Sequence, residues 1–225
     1  MDLGLDGRVI IVVGGDGYVG TEVSRRLRGE GATVVSASRH SAELVMDARD
    51  DSSVKEALRA VVERHGGLDG VVVTAAPSAG TLDPNLSSDP DDVLEAIDAK
   101  AISFLRVARA AIEAMSAERG GRVVAVSGQN AWLTGDLRGS VRNGALILAA
   151  KNLADAVAGS GITVNVVNPG VVADEPAAEV QLGRGGESSP ADIAALIAFL
   201  VSPLAGAISG ESIAVGHRVR GVTGF

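Results

Sequence analysis

The stretch Arg8-Val9-Ile10-Ile11-Val12-Val13-Gly14-Gly15-Asp16-Gly17-Tyr18-Val19-Gly20 decides the fold. Val9 to Val13 is an unbroken β-branched run, the pattern of a strand buried on both faces. Gly14, Gly15, Gly17 and Gly20 break it, and Tyr18 to Glu30 reads as a helix. A buried strand, a glycine turn and a helix make the first unit of a dinucleotide-binding fold. Gly14 ends the strand in a turn that a Cβ would hinder. Gly17 lets the backbone lie against a pyrophosphate, and Gly20 lets the helix pack closely on the sheet. The helix start offers free N–H groups and a positive dipole end to phosphates. Asp16 puts a negative charge in a loop meant for an anion, so its side chain has to point away.

The bulk properties narrow the function classes. A chain of 225 residues suits one α/β domain, 1–225, with a sizeable core. Apolar residues make up 46% and aromatics 2%, so Val, Leu, Ile and Ala must build that core. The net charge of -8 disfavours a nucleic-acid or anionic-membrane partner, which would need a basic face. The absence of cysteine excludes disulfides and thiolate metal sites, and His40, His65 and His217 lack ligand spacing, so no metal is expected. The first strand begins close to the N-terminus and no apolar run approaches a membrane span. The expectation is a soluble cytoplasmic protein.

Further along, strands and helices alternate. Thr33 to Ser36 is a second strand, followed by Ser38-Arg39-His40. An acid at the end of this strand would hold ribose hydroxyls, whereas Arg39 suits a 2′-phosphate, which favours NADP(H) over NAD(H). Glu43 to Met46 reads as an edge strand before Asp47. Ser52 to His65 is a helix that Ser52 can cap. Leu68 to Thr74 is a buried strand, and residues 81 to 90 are loop. Asp91 to Arg119 is a long helix, broken once at most. Arg122 to Ser127 is a strand and Ser140 to Ala158 a helix, apolar around most of its girth, that needs cover on two sides. Ile162 to Val167, Ala191 to Leu200 after Pro190, and Ser212 to Val215 complete the pattern. A Rossmann-like doubly wound parallel sheet of about seven strands, in three αβα layers, is the economical fold.

On these residues the chain resembles the short-chain dehydrogenase/reductase family of the single-domain kind, along essentially its whole length. The glycine loop matches, with the Gly-x-x-Gly-x-x-Gly spacing of the family's longer, epimerase-like branch. Asp47 matches the acid that contacts adenine, and Asn168-Pro169-Gly170 matches the motif after the sixth strand. Ser189-Pro190-Ala191-Asp192-Ile193-Ala194 and Ile208-Ser209-Gly210-Glu211 resemble the C-terminal signatures. The resemblance implies cofactor contacts at Gly14, Gly15, Gly17, Tyr18, Val19, Gly20, Arg39, Asp47, Ala75, Ala76, Pro169 and Gly170. It also implies a homodimer or homotetramer built on the helices 91–119 and 140–158.

The family's catalytic positions are substituted. Its chemistry uses a Tyr-x-x-x-Lys pair, a serine and an asparagine, the lysine tuning the phenol that moves the proton. By the resemblance those positions fall on Gly139 (tyrosine), Asn143 (lysine), Gly128 (serine) and Lys100 (asparagine). Tyr18 is the one tyrosine, and Lys55, Lys100 and Lys151 are the only lysines, so no Tyr-x-x-x-Lys exists. Asp174 stands at the position of the threonine that meets the carboxamide. The expectation is an NAD(P)(H)-binding protein that lacks the family's catalytic residues and is non-catalytic or strongly altered, acting as a binding, regulatory or assembly subunit. One alternative is an active NADPH-dependent carbonyl oxidoreductase with a replacement acid. The candidates are Ser127, Gln129, Asn130, Asp136, Arg138, Arg142 and Asn143, with Asp136 and Arg142 first. A second alternative is a non-redox dehydratase or lyase using Lys100 and Asp174 on an unknown small molecule.

Overall fold

A computed structural model describes residues 2–40, 43–75, 88–115 and 119–223. The β-branched run forms β1 (Val9–Val13), with all five residues buried. The strands β2 (Thr33–Ser38), β3 (Leu44–Val45), β4 (Gly70–Val73), β5 (Gly121–Val126), β6 (Ile162–Pro169) and β7 (Ser212–Val215) join it. They make one seven-stranded sheet in the order β3-β2-β1-β4-β5-β6-β7, every pair parallel. Strand β1 pairs with β2 on one side (Val13 opposite Ala37) and with β4 on the other (Val13 opposite Val73). The chain order therefore reverses at β1/β4, and in open α/β sheets ligands bind at the strand ends beside such a reversal.

Helices cover both faces. Helices α1 (Tyr18–Gly29) and α6 (Pro190–Leu200) pack together on one, burying Val23, Leu27, Ile193 and Ile197 against Ile10, Val12, Val72 and Val124. Helices α2 (Asp51–His65), α4 (Ser103–Ala114) and α5 (Leu137–Ala156) cover the other, against Ile11, Val71, Val123 and Val164. Among the described residues Phe104 is the largest fully buried side chain, and Val, Leu, Ile and Ala supply most of the core around it.

Three helix expectations change. Asp50, not Ser52, caps α2; its carboxylate accepts from the Ser52 and Ser53 N–H groups. An ionised acceptor serves a helix start better than a hydroxyl. The long helix begins at Pro90 as α3 (Pro90–Ile97), capped by Asp89, and passes through a π turn (Asp98–Ile102) into α4. It ends at Ala114, where Met115 is extended; the expected continuation falls partly on 116–118, outside the described residues. Helix α5 starts at Leu137, three residues before the expected Ser140, because Asp136 caps it by accepting from the Gly139 N–H.

Candidate active site

The glycine turn takes its shape from close backbone approach. Gly14 has φ of 80°, and a Cβ there would stand 2.7 Å from the Ala75 nitrogen. A Cβ on Gly15 would stand 2.2 Å from Ser36 Oγ, so this glycine admits β2. Gly20 corrects the sequence reading: its Cβ would meet the Gly14 carbonyl oxygen at 2.1 Å, so what it admits is the turn itself rather than the sheet. Helix α1 starts at Gly17 with no side-chain cap and no acid in its first turn, which leaves its dipole end for an anion.

A cavity of about 500 Å³ opens above the β1/β4 reversal. Gly14, Gly17, Arg39, Asp47 and Ala75 line it, as the sequence led us to expect. Ser38, His40, Met46, Ala48, Arg49 and Thr74 share the lining, with Ala99 and Ser103 from the π turn and α4. The last two were not foreseen; small residues in an amphipathic helix carry no mark of a ligand. Arg49 is held there by Glu95 (2.6 and 2.8 Å) and Asp98 (2.9 Å). Asp16 turns to β2, its carboxylate accepting from Ser36 Oγ (3.2 Å) and Ser38 Oγ (2.6 Å). The glycine cradle, the helix start and the cavity fit a dinucleotide.

Other expected contacts lie elsewhere. The Val19 side chain packs into the α1/α6 core. Pro169 is buried, and Gly170 lies against the Gly186 carbonyl; neither lines the cavity. Ala76 lies outside the described residues. Tyr18 faces a separate cleft of about 390 Å³, walled also by Thr21, Glu22, Asp174, Ser189, Pro190 and Ala191. Its hydroxyl donates to Asp174 Oδ1 at 2.5 Å, and this bond to a carboxylate holds the phenol above its usual pKa. A proton-relaying phenol needs the opposite shift. Tyr18 is thus no substitute for the family's tyrosine. It ties the α1 start to the segment after β6. Tyr18→Phe is expected to speed amide hydrogen exchange in residues 171–177 at least about threefold, with Tm unchanged; equal exchange would show that the tie holds nothing.

The segment 171–189, short for a lid, is bound down by backbone hydrogen bonds. Ala173 N–H donates to Ser188, Gly186 N–H to His217 and Gly183 N–H to Arg220. Gln129 joins the same structure by donating to the His217 carbonyl (3.1 Å), and Trp132 lies under Arg218 at 5.7 Å. Asn168 donates to Ser212 Oγ and fastens β6 to β7.

Around the positions where the sequence reading puts the family's catalytic residues, Ser127, at the end of β5, donates through Oγ to the Asn143 carbonyl at 3.1 Å. Gly128 leaves room that Asn143 occupies; a Cβ would approach its Nδ2 at 3.1 Å. Gly139 lies under the Asp136 carboxylate, at 2.2 Å from where a Cβ would be, so a tyrosine side chain has no place there while Asp136 caps α5. That cap occupies the first-ranked replacement acid. Arg138, Arg142 and Asn143 are buried on the inner side of α5. Lys100 is buried too, 6% exposed, and its Nζ donates to the Ser127 carbonyl at 3.1 Å. Burial first, and then the like charge of Arg142, push the Lys100 ammonium down to about 7.

Comparison with known proteins agrees with this architecture. Residues 15–217 match the family described as enoyl-(acyl carrier protein) reductase. The 3-oxoacyl-acyl-carrier-protein reductase of Vibrio cholerae is 26% identical, over 95% of this chain and 97% of its own. The 7alpha-hydroxysteroid dehydrogenase of Bacteroides fragilis is 27% identical over 93% of each. A short-chain dehydrogenase/reductase from Serratia marcescens superposes with a TM-score of 0.79 at 25% identity, covering 96% of this chain and 98% of that one. No helix among the described residues is long and apolar enough to cross a membrane. With the parallel seven-stranded sheet, the glycine turn at its reversal and this match along nearly the whole sequence, the chain belongs to the short-chain dehydrogenase/reductase family of oxidoreductases.

Proposed function

We propose that this protein binds NAD(P)(H), NADP(H) in preference to NAD(H), in the cavity above β1 and β4, and that it works without the family's phenol–amine relay. The cavity itself carries the reading: glycine backbone on one wall, an uncapped helix start beside it, and Arg39 and His40 at the end of β2. Arg39 offers a planar fork to a 2′-phosphate. The chemistry has to differ from the family's because Gly139 and Asn143 stand at the tyrosine and lysine positions. Oxidoreductase relatives and a buried cation at the catalytic locus favour altered carbonyl chemistry over a non-redox reaction. The exposed Leu148 on α5 and Leu137 at its start suit the outer cover that this helix lacks within one chain, as in a homodimer or homotetramer.

Titration with NADPH and NADH, followed by Trp132 fluorescence, tests the binding. NADPH binds more tightly if the reading holds; binding of neither defeats it. Two substitutions report on selectivity. Arg39→Ala is expected to weaken NADPH about tenfold and NADH less than twofold, the value of one charge-assisted contact. Asp16→Asn, which removes a carboxylate from the end of β2, is expected to tighten NADPH about threefold. If Arg39→Ala weakens both nucleotides equally, the basic end of β2 does not select the phosphate.

A further inference from the structure

Lys100 is an unusual residue for a core. It is the central residue of the π turn, and π turns recur at functional sites because the extra residue re-aims side chains. Its neighbours Ala99 and Ser103 line the dinucleotide cavity, while its own Nζ reaches the Ser127 carbonyl at the carboxyl end of β5. That is the end of the sheet at which such folds bind ligands. Asn143 is fixed to the same residue from the other side, its carbonyl accepting from Ser127 Oγ. Its Oδ1 is buried without a hydrogen-bond partner, an acceptor left for a ligand hydroxyl.

The charges around Lys100 are also unusual. Asp91, Asp92 and Glu95 lie on α3, Asp98 and Arg106 on its own turn and α4, and Asp136, Arg138 and Arg142 at the start of α5. Asp98 is engaged by Arg49 and Arg106, and Asp136 by the α5 start. Among the described residues, the charge that acts on the ammonium is Arg142, of like sign. Burying an ammonium costs stability unless it is paired and hydrogen-bonded, and the partner observed for this one is the neutral Ser127 carbonyl.

We infer that Lys100 is the proton donor of this site, its ammonium turning from the Ser127 carbonyl to the carbonyl oxygen of a ligand. The inference rests on the dinucleotide reading above. When bound, the reduced nicotinamide supplies the hydride that reduces the carbonyl carbon. Lys100 supplies the proton: an N–H bond of the ammonium breaks, an O–H bond forms on the former carbonyl oxygen, and the neutral amine regains its proton from water. The proton that the family takes from a tyrosine on α5 comes here from a lysine in the π turn before α4. An ammonium near 7 is half protonated at neutral pH, as a general acid requires.

The test uses the whole chain labelled with 13C at lysine Cε. Its three lysines yield three resonances, assigned with Lys55→Arg and Lys151→Arg. Each is titrated with saturating NADPH and with NADP⁺, binding being followed by Trp132 fluorescence. The oxidised ring carries a positive charge that the reduced ring lacks. The Lys100 midpoint should therefore fall about one pH unit lower with NADP⁺, with Lys55 and Lys151 unmoved. A lysine buried for structural reasons would titrate alike in both complexes, and that result overturns the inference while leaving cofactor binding intact. Failure of both nucleotides to bind overturns the dinucleotide reading first. In a second measurement, 9,10-phenanthrenequinone serves as the carbonyl probe for NADPH oxidation. Lys100→Met should lower kcat at least thirtyfold with NADPH affinity kept within twofold, and the wild-type kcat should fall as pH rises through the Lys100 midpoint. A rate that Lys100→Met leaves unchanged, nil included, overturns the inference.

Discussion

Gly14→Ala is expected to destabilise the fold by about 3 kcal/mol and to reduce dinucleotide affinity by more than about a hundredfold. Two costs combine. The residue sits at φ of 80°, where an L side chain is strained by about 1–2 kcal/mol. The new methyl would also meet the Ala75 nitrogen at 2.7 Å and Cα at 2.8 Å, and backbone cannot rotate aside as a side chain tip can. Strands β1 and β4 would have to separate at the reversal that forms the cavity floor. At this chain length the stability loss corresponds to roughly 6–12 °C in Tm. Calorimetry and an NADPH titration measure the two effects separately. Gly144→Ala is the control. That glycine lies within α5 with nothing within 4 Å of its Cβ direction, so alanine should raise stability by about 0.5–1 kcal/mol. A Tm for Gly14→Ala within about 2 °C of the wild type, well short of the expected shift, would mean that the turn accommodates a side chain and that its glycine is not required.

The second large effect lies at the opposite end of the sheet. Asp69→Ala should cost about 2–4 kcal/mol, because a buried N–H loses its acceptor and a buried carboxylate is lost from two arginines that are themselves a third to nearly half exposed. The Asp69 side chain, 5% exposed, accepts from Arg8 (2.9 Å), Arg119 (2.8 Å) and the Val9 N–H (2.9 Å). Its removal leaves the N–H at the start of β1 without its acceptor and two guanidinium groups without their shared charge. Asp69→Asn keeps an acceptor for Val9 and should lose about half as much. Because these groups stand at the amino ends of the strands, NADPH affinity measured on folded protein should stay within twofold. A matched loss of affinity and stability would show that the sheet's two ends are coupled.

Gly14 and Asp69 differ in how far the sequence announces them. A glycine between a β-branched run and a helix has few other uses, so the turn, the strand before it and the parallel architecture were legible. The strand runs of β4, β5 and β6 were legible for the same reason: consecutive Val residues fit a strand buried on both faces and little else. Arg39 followed from its place after β2 and Asp47 from the family resemblance, and both line the cavity. Asp69 looks like any acid beside a turn. Its partners lie 50 and 61 residues away and meet it only through the order of strands. Helix starts at Asp50 and Asp136 were missed by a few residues, since several polar residues near each start compete for the cap and the backbone chooses.

What the sequence determined by itself is the pattern of buried strands and helices, the glycine turn, and the absence of any tyrosine paired with a lysine. These are local or compositional facts, set by backbone sterics, apolar periodicity and the presence or absence of a side chain. What only the tertiary structure decided is which distant residues meet. Tyr18 is drawn to Asp174, the Asp136 carboxylate is spent on a helix start, and Lys100 crosses from the π turn before α4 to the end of β5. Such meetings depend on strand order and on the extra residue of a π turn, and neither leaves a period that can be read along the chain.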